Sequence, residues 1–428
     1  MSVEEKNWTA KNYSRRRFLA NAAKLAGAAL AYPVLSTPLA SAGKPPASAS
    51  KGTRKVGVLL PSSASYSGVV TSFLAGMNLY LQAANRQDVA LVVPEACSPM
   101  QSCQKAETLL KAERIDLIAG MLTPNMAASI APFLEASNAV FVASTLGENL
   151  PRTAQRNPHI FHYTLGLWQA NWALGRWSAL NLGRRALVAS SFRDSGYDML
   201  YAFQAGFESA GGRVLASEIT HRPQDRAGVG SLISRIQATR PDVVFASYYG
   251  QSAIELLSAY DKAGLAASIP LVGTAYLTDA PVLAAVGRAA MGVRTAFSWA
   301  PGLSTHENDS FARAYGSATG KAPNGFALLG YETANLVVGA LDRSAMSGSS
   351  LREAIASASF VGPRGQVSMD SHTQSTVGPL YMRQVRYAGG ALDNVVIGEL
   401  DAVAERDSRV ARLASSQKTG WLNTYLCD

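Results

Sequence analysis

Short runs of unbroken apolar residues, each followed by a loop and a stretch of helical spacing, restrict the fold of this chain more than any other feature. Lys55-Val56-Gly57-Val58-Leu59-Leu60 is the first, with loop chemistry from Pro61 to Gly68 and helical spacing from Ser72 to Asn85. Ala90 to Val93, Asp116 to Ala119 and Ala139 to Val142 repeat the signal, with helical patterns at Met100 to Glu113 and Thr123 to Ala136. A strand that is apolar on both faces must be covered on both faces, so this alternation predicts a parallel sheet between two layers of helix. A second series begins after His159 to Trp168. It has strands at Arg185 to Ala189, Arg213 to Ile219, Asp242 to Ala246, Pro270 to Gly273 and Val293 to Phe297, with helices at Tyr197 to Ser209, Gly230 to Thr239 and Gln251 to Ala263. Two series imply two doubly wound units. The helical patterns at Asn308 to Gly320, Gly330 to Met346 and Leu351 to Ala358, and the extended stretch after them, are too little for a third core and should complete one of the two.

Residues 1–42 read as an export signal and are set aside from the fold. Ser14-Arg15-Arg16-Arg17-Phe18-Leu19 matches the twin-arginine pattern, an apolar run from Leu25 to Leu35 is too short to span a bilayer, and Ala40-Ser41-Ala42 offers a small-residue cleavage site. The expected location is the periplasm. Gly, Pro, Ala and Ser dominate residues 43–53, which read as a flexible linker. Without the signal, 33 of 39 basic and 28 of 30 acidic residues remain, a balance of +5 against +9 for the whole chain. That mild charge, with no cluster of Lys and Arg among aromatics, points away from nucleic acid.

Three cysteines are present, at 97, 103 and 427. In an oxidising compartment Cys97 and Cys103 are expected to close a small disulfide loop, the alternative being two buried thiols. Cys427 is an odd thiol near the chain end. No set of metal ligands has suitable spacing, and no cofactor is implied.

Four stretches, in order, resemble the type I periplasmic binding proteins, the group that includes the leucine/isoleucine/valine receptors of ABC transporters. They are residues 55–68; Asp116 to Asn125 with Val140 to Thr145; Phe311 to Tyr315, Gly320 to Pro323 and Gly330 to Ala334; and Phe360 to Asp370 followed by Leu380 to Tyr387. The resemblance implies an α/β fold of two doubly wound parallel-sheet lobes joined by three crossings, near Phe161 to Leu165, Phe297 to Pro301 and Pro379 to Arg383. It also divides the chain into lobe 1 (54–163 plus 300–380) and lobe 2 (164–299 plus 381–428). A small-molecule ligand would sit between the lobes at the carboxyl ends of strands. Lobe closure would signal the loaded state to a membrane transporter. The chain is expected to act as a monomer.

The cleft loops expected of lobe 1 carry Ser63, Tyr66, Thr123, Asn125, Ser144 and Thr145, whose polar groups suit a carbonyl or an anion, or only helix caps. From lobe 2 come Tyr197, Tyr249 and Tyr276, aromatic groups with a polar handle, along with Tyr248 and, near the crossings, Trp168 and Trp299. The amino-acid receptors of this family hold the ligand carboxylate with Ser and Thr and its ammonium with an acidic residue. Here Pro124-Asn125 and Gly147 replace the expected hydroxyls, and Ala275 stands at the acidic position. Asp279 is several residues out of place. An ammonium without a carboxylate in a dry cleft is costly, so a less polar ligand is expected: an aromatic or aliphatic acid, an amide, or a larger apolar molecule. The alternative function is a carrier of a lipid-like ligand for a non-ABC envelope system, or a ligand-reporting sensor subunit.

Catalysis is not expected. No Gly-x-Ser-x-Gly elbow, Walker loop or dinucleotide fingerprint stands in the right context. His159 and His162 have no nearby carboxylates in sequence and read as structural or exposed. Arg193-Asp194 reads as a loop ion pair.

Overall fold

The computed structural model describes residues 53–61, 67–95, 101–113, 115, 117–122, 124–149, 156–221 and 228–401. The expected signal peptide, nearly all of the linker, and Ser63, Tyr66, Cys97, Thr123 and Cys427 lie outside them.

The first series folds as β1 (Arg54–Leu59), α1 (Ser67–Ala83), β2 (Val89–Val92), α2 (Ser102–Lys111), β3 (Leu117–Gly120), α3 (Pro124–Ser137), β4 (Val140–Thr145) and β5 (Ile160–Thr164). The second is α4 (Leu167–Asn181), β6 (Arg185–Ser191), α5 (Met199–Ser209), β7 (Arg213–Thr220), α6 (Val229–Thr239), β8 (Val243–Ser247), α7 (Gly250–Lys262), β9 (Leu271–Gly273), α8 (Ala280–Val286) and β10 (Arg294–Phe297). Then follow α9 (His306–Thr319), α10 (Gly325–Ser347), α11 (Leu351–Ala356), β11 (Ser359–Gly362), β12 (Gly365–Asp370), β13 (Ser375–Val377), β14 (Leu380–Ala388) and β15 (Ala391–Leu400).

Two sheets result, as the two series require. The first runs β11-β12-β13-β5-β4-β3-β1-β2 and the second β15-β14-β10-β9-β8-β6-β7. Within each, the five strands of the doubly wound unit are parallel and share one winding, with the first strand of the unit between its second and third. Every residue of β4, β5 and β8 is buried, the outcome expected for central strands with helices on both faces. The extended stretch after α11 adds strands to both sheets. β11 and β12 pair antiparallel beyond β13, and β14 and β15 pair antiparallel beyond β10.

Three crossings join the lobes: after β5, after β10, and between β13 and β14. One apolar core, including Trp168, Trp172, Phe297, Trp299 and Leu380, runs continuously through this region, and each lobe has a second core on its outer face. In both lobes two helices meet at paired glycines. A Cβ at Gly76 of α1 or Gly330 of α10 would collide with the carbonyl oxygens of Ala327 or Phe73. Likewise, a Cβ at Gly175 of α4 or Gly206 of α5 would collide with those of Phe203 or Trp172.

Two differences from the sequence reading have local causes. α10 starts at Gly325 because the Asn324 side chain accepts from the backbone N–H groups of Phe326 and Ala327, at 3.0 and 2.9 Å. α4 is a helix that the pattern of polar and apolar residues concealed, because Trp168, Asn171, Trp172 and Gly175 bury much of its circumference. Cys103, expected to pair with Cys97, is a free thiol whose Sγ lies 3.4 Å from the Ser129 hydroxyl, and Cys97 lies outside the described residues.

Candidate functional site

A sheet wound in this order leaves a crevice at the carboxyl edge, where successive crossovers diverge to opposite faces. The loops there follow β1, β3 and β4 in the first lobe and β6, β8 and β9 in the second.

At the end of β4 the two hydroxyls singled out by sequence have different surroundings. Ser144 is fully buried and hydrogen-bonded to the Thr333 hydroxyl of α10 at 2.9 Å, so its side chain ties sheet to helix. Thr145 is 9% exposed, and its Oγ1 accepts from the Gly147 N–H at 3.2 Å, shaping the loop. Neighbours in a strand face opposite ways, and one of the pair is thereby committed to packing. Asn125 lies in α3.

The second lobe brings its aromatic residues together. Tyr249, at the N-terminus of α7, is 39% exposed and meets Tyr276 edge to face, with ring centroids 5.6 Å apart. Tyr248, one residue earlier, is buried with its hydroxyl 3.0 Å from Thr220 Oγ1. Tyr197 is half-buried beside Asp198, whose backbone N–H donates to Asn149 Oδ1 of the first lobe at 3.3 Å. The lobes therefore touch beside Tyr197.

Asp194 organises these loops. Its Oδ2 accepts from the Ser191 hydroxyl at 2.5 Å and from the Tyr249 N–H at 3.1 Å, so one buried carboxylate links the loop after β6 to the start of α7. Burial pushes its carboxyl up to about 6, against those hydrogen bonds and the nearby Arg193 charge. The sequence flagged Asp194 only as a partner for Arg193.

Ala275 is buried after β9, and its carbonyl accepts from Arg383 Nη2 at 3.3 Å. Arg383 also donates to Thr295 Oγ1 and the Trp299 carbonyl and lies over the Phe297 ring. It makes no salt bridge among the described residues. Burial lowers its pKa to about 10, so it stays charged at neutral pH. Asp279, at the start of α8, is pushed up to about 7 by desolvation, against the pull of Arg383. No sequence pattern announced Arg383, because a buried arginine reads like any other until its surroundings are known.

The two histidines are buried. His159 Nδ1 lies 2.8 Å from the Ala139 carbonyl oxygen, and burial lowers His162 to about 4. Among the described residues no group of three His, Cys, Asp or Glu could hold a metal.

A family model described as periplasmic binding protein matches residues 53–391. The chain belongs to the periplasmic binding protein family. The resemblance read from its motifs and the two-lobed fold are thus both borne out. Among curated relatives, the Leu/Ile/Val-binding protein homolog 6 of Brucella melitensis is 27% identical over 348 residues, covering 78% of this chain and 88% of that one. An ABC transporter substrate-binding protein from Sphaerobacter thermophilus is 25% identical, with a TM-score of 0.73 over 81% of this chain and 97% of the other. A solute-binding protein of an ABC transporter from R. palustris, solved in complex with benzoate, is 25% identical, with a TM-score of 0.68 over 83% and 98%. No helix among the described residues of this family member is long and apolar enough to cross a membrane.

Proposed function

We propose that this chain is an exported receptor that captures a small aromatic carboxylate between its lobes and presents it to a membrane ABC importer, without catalysis. The observation that carries the reading is the wall after β8 and β9. There an edge-to-face pair, Tyr249 and Tyr276, stands beside Ala275, whose carbonyl is held by the buried Arg383 guanidinium, while the Asp194 carboxylate holds the Tyr249 N–H from behind. Aromatic edges suit a flat ring, and Ala275 offers no carboxylate to pair with an ammonium. The likeness to a benzoate-bound transporter protein supports the same class. Tyr197, Tyr249, Tyr276 and Thr145 are the proposed contacts, with Ser63, Tyr66, Thr123 and Asn125 completing the site from the first lobe. The lobe boundaries proposed are those read from sequence, and the working location is the periplasm.

Calorimetric titration of the purified chain with benzoate, 4-hydroxybenzoate and leucine tests the reading. Binding of the aromatic acids with no heat from leucine is expected, and leucine binding would overturn the role given to Ala275. Tyr249→Ala should weaken aromatic-acid binding by about tenfold, on the order of 1 kcal/mol, whereas Ser144→Ala should leave it within about twofold.

A further inference from the structure

All three crossings wall one cavity, and none of the cleft residues lines it. Thr164 belongs to the first crossing, Ser298 to the second and Gly378 to the third, with Arg364 and Gln169 closing the sides. Its volume of about 20 Å³ is room for one or two water-sized atoms, since one takes about 10–15 Å³.

Thr376 and Ser375 of the cavity lining bond neighbouring backbone groups, but three polar side chains keep an atom unspent. Ser298 is 1% exposed, and its Oγ has no hydrogen-bond partner among the described residues. Arg364 is 2% exposed. Its Nε is committed to Glu332 at 2.8 Å, and its Nη2 to the Tyr163 hydroxyl and the Thr164 carbonyl. Nη1 has no acceptor among the described residues, and a Cβ at Gly378 would come within 3.1 Å of it, so the glycine leaves that face of the guanidinium open. Gln169 Oε1 is likewise buried without a partner. Its amide can turn to present N–H groups instead, because the two orientations are nearly isosteric.

The charge around the cavity favours an anion. Glu332 neutralises Arg364: its Oε2 is held by Arg364 Nε and the Tyr163 hydroxyl, and its Oε1 is buried on the Gly362 side with no hydrogen-bond partner among the described residues. Arg383 donates to the carbonyl of Trp299, the residue after Ser298, and brings a second guanidinium that forms no salt bridge among the described residues, with Asp279 and Asp393 acting on it only at longer range. A buried site with a free guanidinium N–H edge, a free hydroxyl and a reversible amide is built for a small acceptor with negative charge.

We propose that the hinge cavity binds a monovalent anion of chloride size between Arg364 Nη1 and Ser298 Oγ. Because the anion touches segments from all three crossings, its occupancy stiffens the hinge and couples salt composition to lobe closure. The site does not depend on the identity of the cleft ligand, so it is tested on ligand-free protein. Thermal unfolding in sodium chloride and in sodium gluconate at equal ionic strength should show a midpoint about 2–4 °C higher in chloride. Ser298→Ala and Gln169→Glu, the latter placing a carboxylate at the cavity, should each abolish most of that difference. Crystals grown in sodium bromide should show an anomalous peak between Arg364 and Ser298. Equal midpoints in the two salts, a difference that persists in both variants, or a water without anomalous signal at the site would each overturn the proposal.

Discussion

The two lobes share a scaffold and differ in what they place on it. Both wind five parallel strands in the same order, and both lock two helices together at paired glycines, Gly76 with Gly330 and Gly175 with Gly206. The cleft edges diverge: β4 ends in hydroxyls engaged with the protein itself, while the loops after β6, β8 and β9 gather tyrosines around a buried aspartate. Buried charge diverges as well. Arg364 is neutralised by Glu332 at 2.8 Å, whereas Arg383 is held by carbonyls, the Thr295 hydroxyl and an aromatic face. The sheet order thus sets where a ligand can lie, and the side chains of the second lobe set much of what it can be.

The glycine pairs give the largest expected effect and test whether the lobes are equivalent as scaffolds. Gly330→Ala and Gly206→Ala each drive a methyl into a carbonyl oxygen of the facing helix, and neither helix can shift without dragging its sheet contacts. Each should cost about 4 kcal/mol or more, read by urea denaturation. Loss in one lobe alone would show that the other tolerates a wider helix spacing and that the equivalence stops at topology.

The buried arginines come next. Glu332→Gln leaves the Arg364 charge without its counter-charge and should cost about 3 kcal/mol. Arg383→Met removes a cation that has no salt-bridge partner and leaves only hydroxyl and carbonyl acceptors unserved, so it should cost about 1–2 kcal/mol. Equal costs would mean that the two charges are held by equivalent means after all.

The contrast between lobes also explains which parts were legible before the structure. Unbroken apolar runs such as Val140 to Val142 and Val243 to Ala246 announced buried parallel strands, because no other placement covers both their faces. The helix at Leu167–Asn181 was hidden by the same physics, since burial on most sides erases the polar stripe by which a helix is recognised. At the site, loop positions were readable from strand ends, but side-chain direction was not. Ser144 and Thr145 look alike in sequence, as do Tyr248 and Tyr249, and a single step along the chain decides which of each pair joins the packing. Asp194 and Arg383 were illegible for a different reason: their roles are set by partners from distant strands and loops.

Asp194 supplies the one effect that depends on pH, and it isolates what the second lobe adds to the shared scaffold. Its carboxyl titrates at about 6 in the folded protein, above the ordinary value near 4 because burial disfavours the charged form. Between those two values the folded state holds the proton and the unfolded chain has lost it. Protonation therefore favours folding at acid pH, and that contribution is lost as the pH rises through about 6. Asp194→Asn, with its amide oxygen at the Oδ2 position, keeps an acceptor for both the Tyr249 N–H and the Ser191 hydroxyl while removing the charge. Relative to the parent, the variant should gain stability progressively from about pH 4 to pH 6 and then level off, with a total of about 3 kcal/mol. Thermal midpoints across that range read the effect directly. A difference independent of pH would mean that folding leaves the Asp194 carboxyl at its ordinary value and that burial is not what governs it.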